Sequence, residues 1–182
     1  MNKLTRALTI LALGCLMAGC SPASPSTPTP STTKSAPTAT PTPQWTDEQQ
    51  AAIDAVQNYL QVWSSIGQNL DTADWDTIYN VADDQAATDA FTQWFGWAQD
   101  GQHLVGGPQF VPDYVTPGET DSQGSRYHVH GCYIITDTYL IDNTGNHIAN
   151  DGVERSQSLF LVLNTTKGEH LVVEDVGGDE SC

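Results

Sequence analysis

The chain has 182 residues, with 22 acidic side chains against six basic ones, a formal net charge of −16 and an isoelectric point near 4.2. So negative a surface repels phosphate backbones and anionic headgroups, which excludes nucleic acid as a partner and electrostatic attraction to an anionic lipid surface. The 38% of apolar residues is enough for one ordinary core.

The amino terminus reads as an export signal. Lys3 and Arg6 precede the apolar run Ala7 to Leu16, which has secretory length and is too short to span a bilayer. It is followed by LMAGC, Leu16 to Cys20, which resembles a bacterial lipobox. That resemblance implies cleavage after residue 19 and a diacylglycerol on Cys20. Cys15 is a second candidate with a shorter apolar run, and a plain secretory signal with an incidental cysteine is the alternative. Two or more acyl chains hold a protein stably on a membrane, which one does not. Residues 20–43 then form a Pro/Ser/Thr-rich disordered stalk. Extended at about 3 Å per residue, it reaches ~70 Å. The expected location is the outer face of the cell membrane, within the cell envelope.

Residues 44–182 hold every acidic residue and only Arg126, Arg155 and Lys167 as cations. The segment is the size of one domain. Thr46 and Gln49 form a capping-box pattern, and Ala52, Val56, Tyr59, Leu60 and Trp63 recur at helical spacing up to Gly67. A second helix is expected in TADWDTIYNVA, capped by Asp71 or Asp74. A third is expected in ATDAFTQWFGWAQ, with Phe91, Trp94, Phe95 and Ala98 on its stripe and Gly101 at its end. The five tryptophans lie on or beside these helices and read as core, with an aromatic ligand pocket as the alternative.

Beyond Gly101 the pattern turns to strands. HLV and QFVPDYV are separated by Gly106, Gly107 and Pro108. RYHVHGCYIITDTYLI reads as one long strand with a bulge at Gly131. The turns DNTGN and TTKGE flank SLFLVLN, and HLVVEDV closes the domain. The predicted fold class is α+β, with three N-terminal helices packed on a curved antiparallel sheet.

This layout resembles the cone-shaped nuclear-transport-factor-2-like domain of small actinobacterial-type lipoproteins. The resemblance is carried by AAIDAVQNYLQVW, YHVHGCYII, DNTGN, SLFLVLN, HLVVEDV and the terminal cysteine. It implies a disulfide between Cys132 and Cys182. Cysteine counting agrees: Cys15 leaves with the signal and Cys20 is lipidated, which leaves one pair in an oxidising compartment. The aspartate that in such proteins closely follows the strand cysteine is displaced here, with Asp137 the nearest.

His128, His130 and Cys132 alternate on one face of a strand and would suit a metal if the cysteine were free. A disulfide sulfur is a poor ligand, which reduces the set to His128 and His130. Tyr127, Val129, Gly131, Tyr133 and Ile135 form the more apolar face, so both histidines are expected on the wetter side. No metal and no cofactor are expected.

Two functions remain. One is a non-catalytic domain that binds a cell-envelope protein, a wall component or a small ligand. The alternative is an isomerase- or dehydratase-like enzyme with an Asp/His or Asp/Tyr pair in the cone cavity, drawn from His103, Tyr114, Tyr133 and Asp137.

Overall fold

A computed structural model describes residues 44–148, 154–178 and 180–182. Cys20, the expected signal peptide and the stalk lie outside the described residues.

Helix α1 (Asp47–Gln68) begins at the expected capping box. The Gln49 N–H donates to Thr46 Oγ1 at 3.3 Å, and the Thr46 N–H donates to Gln49 Oε1 at 3.0 Å. Its buried stripe includes Ala52, Val56, Tyr59, Leu60 and Trp63. Gly67 does not end the helix. It is buried within it, and a Cβ there would stand 3.1 Å from the Trp97 ring and 3.3 Å from Leu104. The helix runs one residue further, to Gln68, and is capped by Asn69.

The second expected helix is a short 3₁₀ segment, Trp75–Asn80. Its polar side chains compete for the backbone: Asp74 accepts from the Asp76 N–H, and the Thr77 hydroxyl donates to the Asp74 carbonyl. Ile78 is its one buried residue, so no apolar stripe supports an α-helix.

Helix α2 (Asp84–Gln99) buries Ala86, Ala87, Ala90 and Trp94. The predicted stripe is therefore rotated, and Phe95 is left 59% exposed. Small alanines on the buried side let the helix lie close against the sheet.

The strands form two sheets. Strands β2 (Gln109–Thr120), β3 (Gly124–Ile134), β6 (Arg155–Thr165) and β7 (His170–Gly177) make a four-stranded antiparallel sheet in the order β2-β3-β6-β7. Strands β1 (Gln102–Val105), β4 (Tyr139–Asp142) and β5 (His147–Ile148) make a three-stranded one in the order β1-β4-β5.

The expectation of three helices on one curved sheet, cone-shaped and nuclear-transport-factor-2-like, is thereby corrected to two α-helices, a 3₁₀ segment and two sheets. Two breaks cause the division. Gly106, at φ +75°, faces the Asp137 carbonyl so closely that a Cβ would overlap it. Opposite it the predicted long strand turns at 135–138, where the Thr138 N–H donates to the Ile135 carbonyl at 2.9 Å. Beyond the turn, Val105 and Tyr139 begin a separate ladder.

The edges of the larger sheet are managed. Edge strand β2 carries Pro112 and Pro117. On the β7 edge, the Val172 N–H donates to the Val81 carbonyl, and the Asp83 N–H donates to the Val172 carbonyl. Both helices pack on the inner face of this sheet, and the core lies between them around Ile53, Val56, Trp94, Val129, Phe160, Val162 and Val172.

Candidate functional site

Strand register sets the floor of the site. Opposed residues on antiparallel strands share a face. Three rows therefore cross the inner face of the larger sheet. They are Phe110–Tyr133–Ser156, Pro112–Gly131–Ser158–Gly177 and Val115–Val129–Phe160–Asp175. The middle row is built of small residues. Over Gly131 the Phe110 ring fills the space, 2.6 Å from where a Cβ would stand. Over Ser158 and Gly177 the row stays open, and nothing lies within 4 Å of a Cβ added at Gly177.

The opening is a cleft of about 300 Å³ between this floor and the two helices. α1 contributes Tyr59, Leu60 and Trp63; α2 contributes Asp89, Ala90 and Gln93. Tyr133, Ser156, Ser158, Asp175 and Gly177 come from the sheet. Each helix supplies positions i, i+1 and i+4, the spacing that aims side chains in one direction.

Asp175 stands at the centre of the electrostatics. More than a third of it touches solvent through the cleft mouth, yet protein surrounds it on its other sides. That surrounding desolvation, then the nearby Asp89 carboxylate, pushes Asp175 up to about 6. Among the described residues no hydrogen bond or ion pair is made by the Asp175 carboxylate. Tyr59 and Tyr133 are raised too, chiefly by burial and next by Asp175, so both phenols stay protonated donors. None of the domain's three cations lines the cleft. Arg126 pairs with Asp121, the Arg155 guanidinium lies 3.9 Å from Cys132 Sγ, and Lys167 sits in the β6–β7 turn.

A second, apolar slot of about 300 Å³ adjoins the cleft. Trp63, Gln93 and Tyr133 line both spaces. The slot continues under the smaller sheet, past Trp97, Leu104, Ile135, Tyr139, Leu140 and Ile148. Thr138 also lines it, and among the described residues its buried hydroxyl has no hydrogen-bond partner.

With this geometry in view the fold can be matched. The chain is similar to the intermembrane space region of the chloroplast protein ARC6. The crystal structure of that region matches with a TM-score of 0.55 at 13% identity, over 76% of this chain and 100% of the other. At that identity the likeness to ARC6 speaks for the fold alone. No family model and no curated protein matches the sequence.

Of the four acid–base candidates read from the sequence, Tyr133 alone lines the cleft. Tyr114 is 51% exposed on the outer face of the sheet, where it stacks on His130 at 4.3 Å between ring centroids. His103 lies on β1 opposite Ile141, and Asp137 sits exposed in the turn between β3 and β4. The four do not converge.

His128 and His130 lie on the outer face with Cys132, across the sheet from the core residue Val129. Partial burial and the neighbouring His128 lower the His130 pKa. Cys132 is bonded to Cys182, with their Cα atoms 5.9 Å apart. Among the described residues no group of three or more His, Cys, Asp or Glu could hold a metal ion. Also among the described residues, no helix is long and apolar enough to cross a membrane.

Asp175, Asp89 and Tyr59 were not singled out by sequence reasoning. Strict alternation along HLVVEDV puts Asp175 on the outer face when Val172 points inward. A bulge at Val173 reverses that: Val172 pairs with Val162, but Glu174 pairs with Leu161. Past the bulge Asp175 faces inward opposite Phe160.

Proposed function

We propose that this chain is a lipid-anchored, extracytoplasmic domain that binds a small ligand in the Asp175 cleft. The observation that carries the binding reading is the cleft itself, an open space in which the unpartnered Asp175 carboxylate meets aromatic walls. The carboxylate faces solvent at the mouth of the cleft, where an incoming ligand can reach it. The anchoring part rests on the lipobox-like LMAGC sequence. The Cys132–Cys182 bridge is in keeping with an oxidising compartment.

An acid–base enzyme is the second reading, favoured by Asp175 standing near Tyr133 with its proton affinity raised. Binding is preferred because the mouth of the cleft admits water, which an enzyme abstracting a proton from carbon must exclude.

Two measurements test the proposal. Metabolic labelling with an alkyne palmitate should tag the full-length chain, and Cys20→Ala should lose the tag and move the protein from membranes to the medium. Tagging of that variant would overturn the anchor. Native mass spectrometry after exposure to a cell-envelope extract should show a bound small molecule that Gly177→Leu, which fills the cleft, no longer retains. Retention by that variant would place the ligand elsewhere.

A further inference from the structure

We propose that the Asp175 cleft and the apolar slot form one two-part site for an amphiphilic organic cation. Its ammonium-type head would lie by Asp175 and Asp89, and its apolar part would lie past Tyr133 in the slot. The inference rests on the binding reading above and names the ligand class.

Charge selects the head. Two carboxylates, from α2 and β7, line one cleft that no lysine or arginine lines. A cationic group relieves their mutual repulsion, whereas an anion would add to it. The same space is lined by Tyr59, Trp63 and Tyr133. Aromatic rings attract weakly hydrated organic cations, which settle against them at lower desolvation cost than a metal ion. A hard metal ion draws on oxygen ligands and gains little from the aromatic walls, which favour an organic cation.

Geometry selects the tail. Trp63, Gln93 and Tyr133 line both spaces, so the slot lies beside the cleft, and a ligand that fills both must cross over these three side chains. Its further lining is Leu, Ile and aromatic, which suits an alkyl chain or a ring. Each space is of the size that holds part of a small ligand.

The test is calorimetric titration of the full-length protein with octyltrimethylammonium, tetramethylammonium, octyl glucoside and octanoate, all below micellar concentration. Octyltrimethylammonium should bind roughly tenfold or more tightly than the other three, because it alone fills both parts. Asp175→Asn should reduce its affinity by about tenfold. Ile148→Trp, which fills the slot, should bring its affinity down to that of tetramethylammonium. Equal or tighter binding of octyl glucoside or octanoate would overturn the cationic class but leave the cleft a binding site, provided Gly177→Leu abolishes it. If Gly177→Leu changes the binding of no probe, both the inference and the cleft reading fall. Binding of octyltrimethylammonium unaffected by Ile148→Trp would overturn the two-part site.

Discussion

Asp175 stands directly opposite Phe160 in the β6–β7 ladder, so a carboxylate and a fully buried phenyl ring project from the same face of the sheet. The pairing is unfavourable for the carboxylate, since the inner face is otherwise reserved for the core. It arises because the bulge at Val173 turns β7 over by one residue. A single backbone irregularity thus brings a charge to the inner face, beside the opening left by Ser158 and Gly177.

The first prediction concerns that charge. Asp175 titrates at about 6 in the fold, against 3.8 for an unperturbed aspartate. Between those values the native state holds more protons than the unfolded chain. Stability from this group therefore falls as pH rises from about 4 to 6, and stays lowered above that. Asp175→Asn should be more stable than the parent at pH 7.5, by no more than ~1 kcal/mol given the exposure of the carboxylate, and equal to it near pH 4. Urea denaturation across that range measures it; an equal gain at both pH values would show that the carboxylate is not the cause. Cation binding runs the other way. It should weaken as pH falls through about 6, with Asp89, Tyr59 and Tyr133 the other titratable groups facing the site.

A second prediction concerns the bridge between Cys132 and Cys182, which are 50 positions apart. In the chain-entropy model a loop of that length contributes about 4 kcal/mol. The tail is also held by backbone bonds: the Gly178 N–H donates to the Gln157 carbonyl, and the Gln157 N–H donates to the Glu180 carbonyl, each at 2.8 Å. Cys132→Ser with Cys182→Ser should lower the unfolding free energy by roughly that amount. It should also speed amide exchange at Val176–Gly178, on the rim of the cleft. Unchanged exchange there would mean that the backbone bonds alone hold the tail.

The sequence made α1 legible because three signals agree in it: the Thr46–Gln49 box, the apolar period and strong helix formers. The inward aim of Val129 and Tyr133 was legible for the same kind of reason, since β3 keeps its two-residue period across the Gly131 position. Gly131 itself marked an irregularity, but the extra residue is Asp113 on the facing strand. What alternation could not carry was β7, whose period slips at Val173. Nor could it carry the second sheet, whose ladder depends on Gly106 meeting the Asp137 carbonyl from far along the chain. The face of α2 was misread because Phe91 and Phe95 outweigh alanines on any hydrophobicity scale. Close approach to the sheet rewards the alanines instead.

The third prediction separates two glycines in the same row of the sheet. A Cβ at Gly131 would overlap the Val111 carbonyl, a backbone atom that cannot move without distorting the β2 bulge. Gly177 has open space instead. Gly131→Ala should therefore cost ~2 kcal/mol or more, within the range of overpacking. Gly177→Ala should change stability by less than about 0.5 kcal/mol. Thermal unfolding of the two variants side by side checks this, and similar losses for both would mean that the sheet relaxes around either.

The last prediction uses Gly96, in the fourth turn of the 16-residue helix α2. It is exposed, lines neither the cleft nor the slot, and has nothing within 4 Å of an added Cβ. Glycine at a helix interior leaves more backbone freedom to the unfolded chain than alanine does. Gly96→Ala should therefore stabilise the protein by about 0.5–1 kcal/mol. This variant and Asp175→Asn are both expected to be more stable than the parent at neutral pH, for unrelated reasons. Ligand binding tells them apart. Gly96→Ala should keep its affinity for octyltrimethylammonium, because it changes only the helix backbone, whereas Asp175→Asn should lose it. If both variants lost affinity together, rigidity of α2 rather than the Asp175 charge would govern the site.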